Sequence, residues 1–208
     1  MIRENSLDQR KLSYGQKRRF RGLEDYAIGK RLAEATRLMR RIVPSESAKP
    51  LEVLELGCGY WGKNIIRLKR EFEGFEFAGI DLSVSKKVTD VQLIESDITE
   101  WHPFRKYDVV LSLAVVEHLL EPTKHFELIA DCLKPNGLAG LTTPTPKADR
   151  VLSILSRLGI FDRSEILDHK MYLTETGITR LAHFAGLQIE EFRTFSFGMN
   201  QWALLRKP

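Results

Sequence analysis

The feature that most constrains the fold is the stretch 51–62, where a short apolar run leads directly into three closely spaced glycines, LEVLELGCGYWG. A strand, a glycine turn and a helix in this order bring bare backbone close to a polar ligand in α/β proteins. Gly57 permits a tight turn, Gly59 removes a Cβ where a ligand approaches, and Gly62 lets the next helix pack closely. The N-terminus of that helix offers unpaired N–H groups to an anionic group.

The glycine spacing alone leaves the ligand open. It fits the dinucleotide fingerprint G-x-G-x-x-G, and it fits equally well an ordinary glycine-rich turn in a doubly wound sheet. Glu55 precedes the first glycine by two residues, at the end of the predicted strand. A carboxylate at that position favours a ligand with a cationic group and disfavours the phosphates of a dinucleotide.

The composition predicts one domain over residues 1–208, of the kind typical of soluble globular proteins, with 29% charged and 43% hydrophobic residues. No apolar run reaches the length of a membrane span, and Met1 to Arg10 lacks the apolar core of a signal peptide, so we expect a cytoplasmic protein. Two cysteines, Cys58 and Cys132, provide neither a disulfide framework nor the spacing of metal ligands, and no metal site is predicted.

Charge is concentrated in a basic N-terminal segment. Residues 1–43 carry 12 Lys and Arg against 5 Asp and Glu, a net charge of +7, although the whole chain has only +4. One interpretation is a solvated helix face. The other is a surface for an anionic partner such as nucleic acid, phospholipid or a phosphorylated substrate, with the cluster 17–21 as its centre.

Hydrophobic periodicity predicts alternating strands and helices, and therefore a largely parallel α/β sheet. A turn is expected at 134–137, where Pro, Asn and Gly follow one another. The predicted strands are 51–56, 75–82, 91–96, 107–114, 138–143, 187–197 and 200–206, and the predicted helices are 24–43, the segment after Gly62, 122–133, 151–158 and 174–185.

Acidic residues stand where the first three predicted strands end, and ligands of such sheets bind at the carboxyl ends of the strands. Asp81 follows Gly57 by 24 residues and can accept hydrogen bonds from both ribose hydroxyls; the alternative is an N-cap for a following helix. Asp97 can accept from an exocyclic amine while the Ile98 N–H donates to a ring nitrogen; the alternative is a local Asx-turn. Together with Glu55, these residues describe a ligand with a cationic head, a ribose and an adenine.

This description resembles S-adenosylmethionine, and the chain resembles the class I S-adenosylmethionine-dependent methyltransferases, in the subgroup of ubiquinone- and menaquinone-biosynthesis methyltransferases. The segments that carry the resemblance occur in the order of that family and cover most of residues 51–208. They are LEVLELGCG at 51–59, FAGIDLS at 77–83, ESDIT at 95–99, YDVVLSLAVVEHL at 107–119, CLKPNGLAGLTTP at 132–144 and HKMYLTETGITRLAHFAGLQIEEF at 169–192.

The resemblance implies a Rossmann-like, doubly wound sheet of seven strands in the order 3-2-1-4-5-7-6, with the last strand antiparallel and helices on both faces. One departure concerns the third glycine, which the family usually has one position earlier, where this chain has Trp61. A second is the short connection between strands two and three. The resemblance implies these cofactor-binding residues: Glu55, Gly57, Cys58, Gly59, Asp81, Leu82, Asp97, Ile98, Leu113 and Ala114.

Two histidines are candidates for a catalytic base. His118 follows strand four at the ligand-binding edge, and His169 lies in a region that often faces the substrate in similar enzymes. Either residue can instead have a structural role. Residues 147–170 are the predicted substrate lid, because they separate strand five from the last helix and are rich in apolar side chains.

The sequence therefore predicts a methyltransferase for a small molecule, with O-methylation of a sugar, a lipid-linked intermediate or a quinone-like metabolite. Two alternatives remain open at this point. The first is a nicotinamide-dependent dehydrogenase, on the glycine spacing. The second is a non-catalytic module of the same fold that binds a partner such as RNA through its basic N-terminal segment.

Overall fold

The structure is a computed structural model that describes residues 21–43, 49–149, 151 and 170–208. Helical residues also occur at 146–149, directly after the fifth strand. The α-helices are α1 (Arg21–Arg41), α2 (Lys63–Glu71), α3 (Pro122–Cys132) and α4 (Glu175–Phe184), and a 3₁₀ turn spans Val116–His118. The strands are β1 (Leu51–Leu56), β2 (Phe75–Asp81), β3 (Gln92–Glu95), β4 (Tyr107–Leu113), β5 (Leu133–Pro144), β6 (Gln188–Phe195) and β7 (Asn200–Arg206).

The described strands form one seven-stranded sheet in the order β3-β2-β1-β4-β5-β7-β6, which confirms the predicted topology. The five strands from β3 to β5 pair in parallel, whereas β7 runs antiparallel to both β5 and β6. The strand order reverses between β1 and β4. In sheets of this kind, ligands bind at the carboxyl ends of the strands beside such a reversal.

Each face of the sheet has its own apolar core. On one face α3 and α4 pack through Phe126, Ile129 and Ile178. On the other, α1 and α2 pack through side chains that include Met39 and Ile65. The helices therefore fix both faces of the sheet, and the carboxyl edge is left for ligand binding.

The predicted turn at 134–137 is wrong, because β5 already begins at Leu133, which pairs with Tyr107. The turn residues are accommodated inside the strand by a shift in register between Tyr107 and Val109. Asn136 takes a positive φ of 63° and donates its N–H to the Lys207 carbonyl over 2.9 Å. The sequence signal was a bulge in a strand and not a connection between elements.

The remaining boundaries agree with the prediction to within a few residues. Thr174 caps α4 as predicted, since its side chain accepts a hydrogen bond from the Gly177 N–H. The predicted helix 151–158 lies outside the described residues apart from its first residue. Within the described part of the chain, no helix combines the length and apolarity needed to cross a bilayer.

Candidate active site

The first half of the glycine loop is tied to the end of β2. The N–H groups of Gly57 and Cys58 both donate to the Ile80 carbonyl, over 2.8 and 3.1 Å. Gly57 has a φ of +71°, and a Cβ built on it would lie 2.5 Å from Cγ2 of Val115. Both the backbone conformation and the available space therefore require glycine, and the loop presses directly against the segment that follows β4.

The second half of the loop is held by a carboxylate. The Gly59 N–H donates to Oδ2 of Asp81 over 2.8 Å, and the Gly62 N–H donates to the Gly59 carbonyl over 3.1 Å. Gly62 adopts a left-handed φ of 56° and is the residue from which α2 begins. Trp61 is 42% exposed and contacts the ring of Tyr60 edge-on. The displaced third glycine thus still starts the helix, and the extra residue turns outward.

Glu55 lies at the base of this loop with its side chain fully buried. Its Oε1 accepts a hydrogen bond of 2.8 Å from Nδ2 of Asn64, while Oε2 has no hydrogen-bond partner among the described residues. Burial raises the pKa of Glu55 to about 7; the Asn64 hydrogen bond opposes the shift and the charge of Asp81 adds to it. A buried carboxylate oxygen without a partner is costly, so the site suits a ligand that brings a cation.

Cys58 stands between the two acidic side chains and is also buried, with 5% of its surface exposed. Burial and the nearby charges of Glu55 and Asp81 raise the pKa of its thiol well above the usual range. A thiol in this condition is not a nucleophile at neutral pH. Cys58 therefore shapes the loop and contributes no reactive group.

The connection after Asp81 contains no helix over residues 82–91, so the alternative of Asp81 as an N-cap is wrong. Leu82 is 37% exposed at the start of this connection. The path of the chain is fixed by hydrogen bonds from the Val84 N–H to Glu95 and from the Ser85 N–H to the Tyr60 carbonyl. Asp81 is thus free of helix capping, and its Oδ2 organises the glycine loop.

Asp97 is exposed and forms the local turn that the sequence left open. Its Oδ1 accepts hydrogen bonds from the Thr99 N–H over 2.9 Å and from the Thr99 hydroxyl over 2.7 Å. Ile98 is partly buried and packs against the core under α3 and α4. The Asx-turn fixes this corner after β3, and contact of Asp97 and Ile98 with adenine stays a prediction.

The end of β4 is strained. Ala114 has a φ of 59°, and its N–H is shared between the carbonyl of Thr142, at 2.9 Å, and the hydroxyl of Thr142, at 3.1 Å. A left-handed alanine costs about 1–2 kcal/mol, and such residues cluster at ligand sites. Leu113, directly before it, is buried. The strained residue lies across the strand-order reversal from the glycine loop.

Of the two candidate bases, His118 and His169, the structure describes only His118. His118 ends the 3₁₀ turn after β4 and its side chain is exposed. His169 lies outside the described residues, as does the predicted lid apart from residues 147–149, 151 and 170. The catalytic roles of both stay predictions. Over the described residues, no three potential ligands from His, Cys, Asp and Glu are grouped in a way that could hold a metal ion.

Glu117 is not among the candidates from the sequence, yet the structure buries it almost completely at the same edge of the sheet, with 1% of its surface exposed. The available signal is an acidic residue directly after the largely apolar run 109–116. Glu117 is the second buried carboxylate that the described residues place at this edge, after Glu55. The structure therefore brings the glycine loop and Asp81 into direct contact, places Glu55 at the end of the strand that leads into the loop, and places the other described candidates after β2, β3 and β4.

A family model described as a methyltransferase domain matches residues 27–191 of the chain. A ubiquinone biosynthesis O-methyltransferase from Rickettsia bellii is 27% identical over 175 residues, which cover 74% of this chain and 69% of that protein. A magnesium protoporphyrin IX methyltransferase from Synechocystis, solved with bound S-adenosylhomocysteine, has 17% identity and a TM-score of 0.64, covering 98% of this chain and 94% of the other.

A further similar structure is an N-methyltransferase from Bradyrhizobium japonicum, also in complex with S-adenosylhomocysteine. Its TM-score is 0.60 at 17% identity, and the match covers 88% of each chain. The similarity to these solved structures supports the assignment of the fold. The family model covers most of the chain, including every described element of the site. The chain therefore belongs to the class I methyltransferases and is an S-adenosylmethionine-dependent methyltransferase.

Proposed function

We propose that this methyltransferase methylates a hydroxyl oxygen of a small molecule, such as a sugar, a lipid-linked intermediate or a quinone-like metabolite. The observation that carries the cofactor part of this proposal is the buried Oε2 of Glu55, which has no hydrogen-bond partner among the described residues and calls for a cationic ligand group beside the glycine loop. The O-methyltransferase name of the rickettsial relative supports oxygen as the acceptor atom.

The residues present fit S-adenosylmethionine. In our proposal Glu55 faces the positively charged part of the methionine moiety, and the backbone of Gly57, Cys58 and Gly59 encloses that moiety. Asp81 and Leu82 bind the ribose. Around this core, Asp97 and Ile98 contact the adenine, and Leu113 with the backbone of Ala114 flanks the amino group. The Ala114 N–H is already bonded to Thr142, so the Ala114 carbonyl is the group offered as an acceptor.

When bound, the cofactor supplies an activated methyl group on a sulfonium. The main task of the protein is then to orient the acceptor oxygen and exclude water, which can lower the barrier by about 7–11 kcal/mol. General base catalysis contributes about 10²–10⁴-fold in rate, or roughly 3–5.5 kcal/mol. Orientation at the carboxyl ends of β1 and β4 should therefore dominate, with a base taking the hydroxyl proton.

Radiolabelled methyl transfer tests the proposed reaction. The purified enzyme is incubated with labelled S-adenosylmethionine and with a phenol, a monosaccharide and a primary amine in parallel. We expect label in the hydroxyl compounds as a methyl ether, because the proposal specifies an oxygen acceptor. Transfer confined to the amine would contradict O-methylation while leaving the methyltransferase assignment in place.

We expect His118→Ala to lower kcat by about 10²–10⁴-fold, as loss of a general base does. The affinity for S-adenosylhomocysteine should stay within about twofold, because His118 is exposed and lies beyond the cofactor loop. His183→Ala, which removes an exposed histidine from α4, is the matched control. Equal turnover by the two variants would exclude His118 and leave His169 as the candidate base.

An anionic partner at the basic N-terminal segment stays a proposal. The cluster 17–21 lies outside the described residues apart from Arg21. Further along α1 a groove of about 840 Å³ opens toward α2. Arginines dominate its rim; Arg40 is ion-paired with Glu71, and both Arg37 and Arg41 are ion-paired with Glu191. The arginines lining the groove are Arg37, Arg40, Arg41, Arg67 and Arg70.

The cytoplasmic location likewise remains a prediction from the sequence. The nicotinamide dehydrogenase alternative is set aside, because the chain belongs to the methyltransferase family. For the same reason an inactive module is no longer the favoured alternative. We therefore regard the basic N-terminal segment as part of an enzyme and not as the partner-binding surface of an inactive protein.

A further inference from the structure

The Glu117 side chain is buried, although the described residues provide no hydrogen-bond partner for its carboxylate. Its side chain is 1% exposed, and neither carboxylate oxygen has a hydrogen-bond partner in the described part of the chain. The backbone at this position is well anchored, since the Glu117 carbonyl accepts a hydrogen bond of 2.7 Å from the Lys170 N–H. The backbone of Glu117 is therefore held firmly, while the described residues leave its carboxylate without a hydrogen-bond partner.

A second unpaired polar group lies beside it. Thr143, near the end of β5, is fully buried, and its hydroxyl also has no partner within hydrogen-bonding geometry among the described residues. Burial raises the pKa of the Glu117 carboxyl, and the backbone N–H of Glu117 and, more weakly, the nearby Thr143 hydroxyl oppose this shift. The charges of His118 and Arg31 act in the same lowering direction.

A third element closes this cluster. Tyr172 lies in the segment before α4, and burial, followed by the nearby charges of Asp149 and Glu117, raises the pKa of Tyr172 to about 12. Glu117, Thr143 and Tyr172 thus come from three separate elements that meet at the carboxyl ends of β4 and β5. We call these three residues the polar cluster.

The energetics favour a ligand over a structural role. A buried donor or acceptor that stays unpaired costs about 1–3 kcal/mol, and more if it is charged. Native proteins contain few such groups, and two adjacent ones need an explanation. At this position an apolar residue, or a hydrogen-bonded pair, would be more stable. Groups retained at such a cost fit a site that a bound molecule completes.

We propose that the Glu117 carboxylate and the Thr143 hydroxyl form the acceptor subsite and hold a hydroxyl group of the acceptor, which donates its hydrogen bond to Glu117. This inference rests on the proposed O-methyltransferase function. The subsite selects hydroxyl compounds and rejects the corresponding methyl ethers, which have no proton to donate. A site built to bind a hydroxyl discriminates strongly against an analogue without one, because its buried polar groups are then left unpaired.

The test compares Glu117→Gln and Thr143→Val with Glu121→Gln, a control that changes an exposed glutamate a few residues away. The probes are hydroquinone and glucose, with 1,4-dimethoxybenzene as the ether that cannot donate. We measure KM and kcat for methyl transfer to each hydroxyl compound, the competition by the ether, and the affinity for S-adenosylhomocysteine. Melting temperatures are recorded for every variant.

For whichever of hydroquinone and glucose the wild type methylates more efficiently, we expect Glu117→Gln to raise KM at least about tenfold, because a hydrogen bond to a charged group is lost. Thr143→Val should raise it about threefold or more. Affinity for S-adenosylhomocysteine should stay within about twofold, and the melting temperature of Glu117→Gln should stay constant or rise. The ether should not compete, and Glu121→Gln should behave like the wild type.

The measurements separate failure of the acceptor subsite from failure of the proposed function. Wild-type kinetics in Glu117→Gln, with active methyl transfer, would overturn the subsite and leave the proposed function standing. A lower melting temperature of Glu117→Gln together with weaker S-adenosylhomocysteine binding would show a structural role and also overturn it. No transfer by the wild type to either hydroxyl compound would overturn both the subsite and the proposed function.

Discussion

Asp81→Ala is expected to weaken S-adenosylmethionine binding by at least about 100-fold. In our proposal this carboxylate accepts hydrogen bonds from the ribose hydroxyls, and two bonds to a charged acceptor are together worth about 3–6 kcal/mol. The variant also loses the 2.8 Å hydrogen bond from the Gly59 N–H to Oδ2, which organises the loop around the methionine moiety. Both losses act in the same direction, and isothermal titration calorimetry measures their sum.

Asp81→Asn separates the two contributions. Its side-chain oxygen can still accept from the Gly59 N–H, whereas its charge and one acceptor position for ribose are lost. We expect an affinity between those of the wild type and Asp81→Ala, with an unchanged melting temperature. Asp90→Ala, which removes another acidic residue of the same connection, serves as a control for charge. Wild-type affinity in Asp81→Ala would show that the ribose assignment is wrong.

Glu55→Gln is expected to have opposite effects on binding and on stability. Without its carboxylate the site loses the partner of a cationic ligand group, so the affinity for S-adenosylmethionine should fall at least about tenfold at pH 8. Without cofactor, the same variant should be more stable than the wild type at that pH. Chemical denaturation of the cofactor-free protein and calorimetric titration of the cofactor measure the two effects.

The sign of the stability effect follows from the pKa. Burial raises the pKa of Glu55 from 4.5 to about 7, so the folded protein holds this proton more tightly than the unfolded chain does. The protonated carboxyl stabilises the fold fully below about pH 4.5, and this contribution is lost as pH rises through 7. The loss amounts to about 3 kcal/mol above pH 7, and Glu55→Gln should not show it.

Binding of the cofactor should lower the raised pKa of Glu55. A cationic group beside Glu55 favours the ionised form, so binding at about pH 6.5 should release a proton, and affinity should increase from pH 6 to 8. Glu76→Gln, which changes an exposed glutamate on β2, is the control. An unchanged affinity together with a lower stability of Glu55→Gln would show that Glu55 serves the fold and not the cofactor.

Much of the fold was accessible from the sequence because its strands are short, apolar and separated by clear turn and helix signals. Strand β1 was predicted to the residue, and its glycine turn followed from the spacing of Gly57, Gly59 and Gly62. The strand order came from the family resemblance and is confirmed by the pairing of β1 with both β2 and β4. The glycine loop could be predicted because closely spaced glycines directly after an apolar strand are a strong sequence signal.

What the sequence missed depends on contacts between distant segments. The bulge at Asn136 looks like a turn, since only pairing of Leu133 with Tyr107 shows that the strand has already begun. Glu117 looks like a surface residue of a helix beginning after β4, since only the packing around Thr143 and Lys170 reveals its burial. The hydrogen bond from the Gly59 N–H to Asp81 could likewise not be predicted, because no local pattern encodes it.

The most direct test of the whole account is a calorimetric titration of the purified protein with S-adenosylhomocysteine and, separately, with NADH. We expect one binding site for S-adenosylhomocysteine with micromolar affinity, lost in Asp81→Ala, and no measurable heat with NADH. Tight binding of NADH with no uptake of S-adenosylhomocysteine would contradict the claim that the site at Glu55 and Asp81 holds the S-adenosyl cofactor.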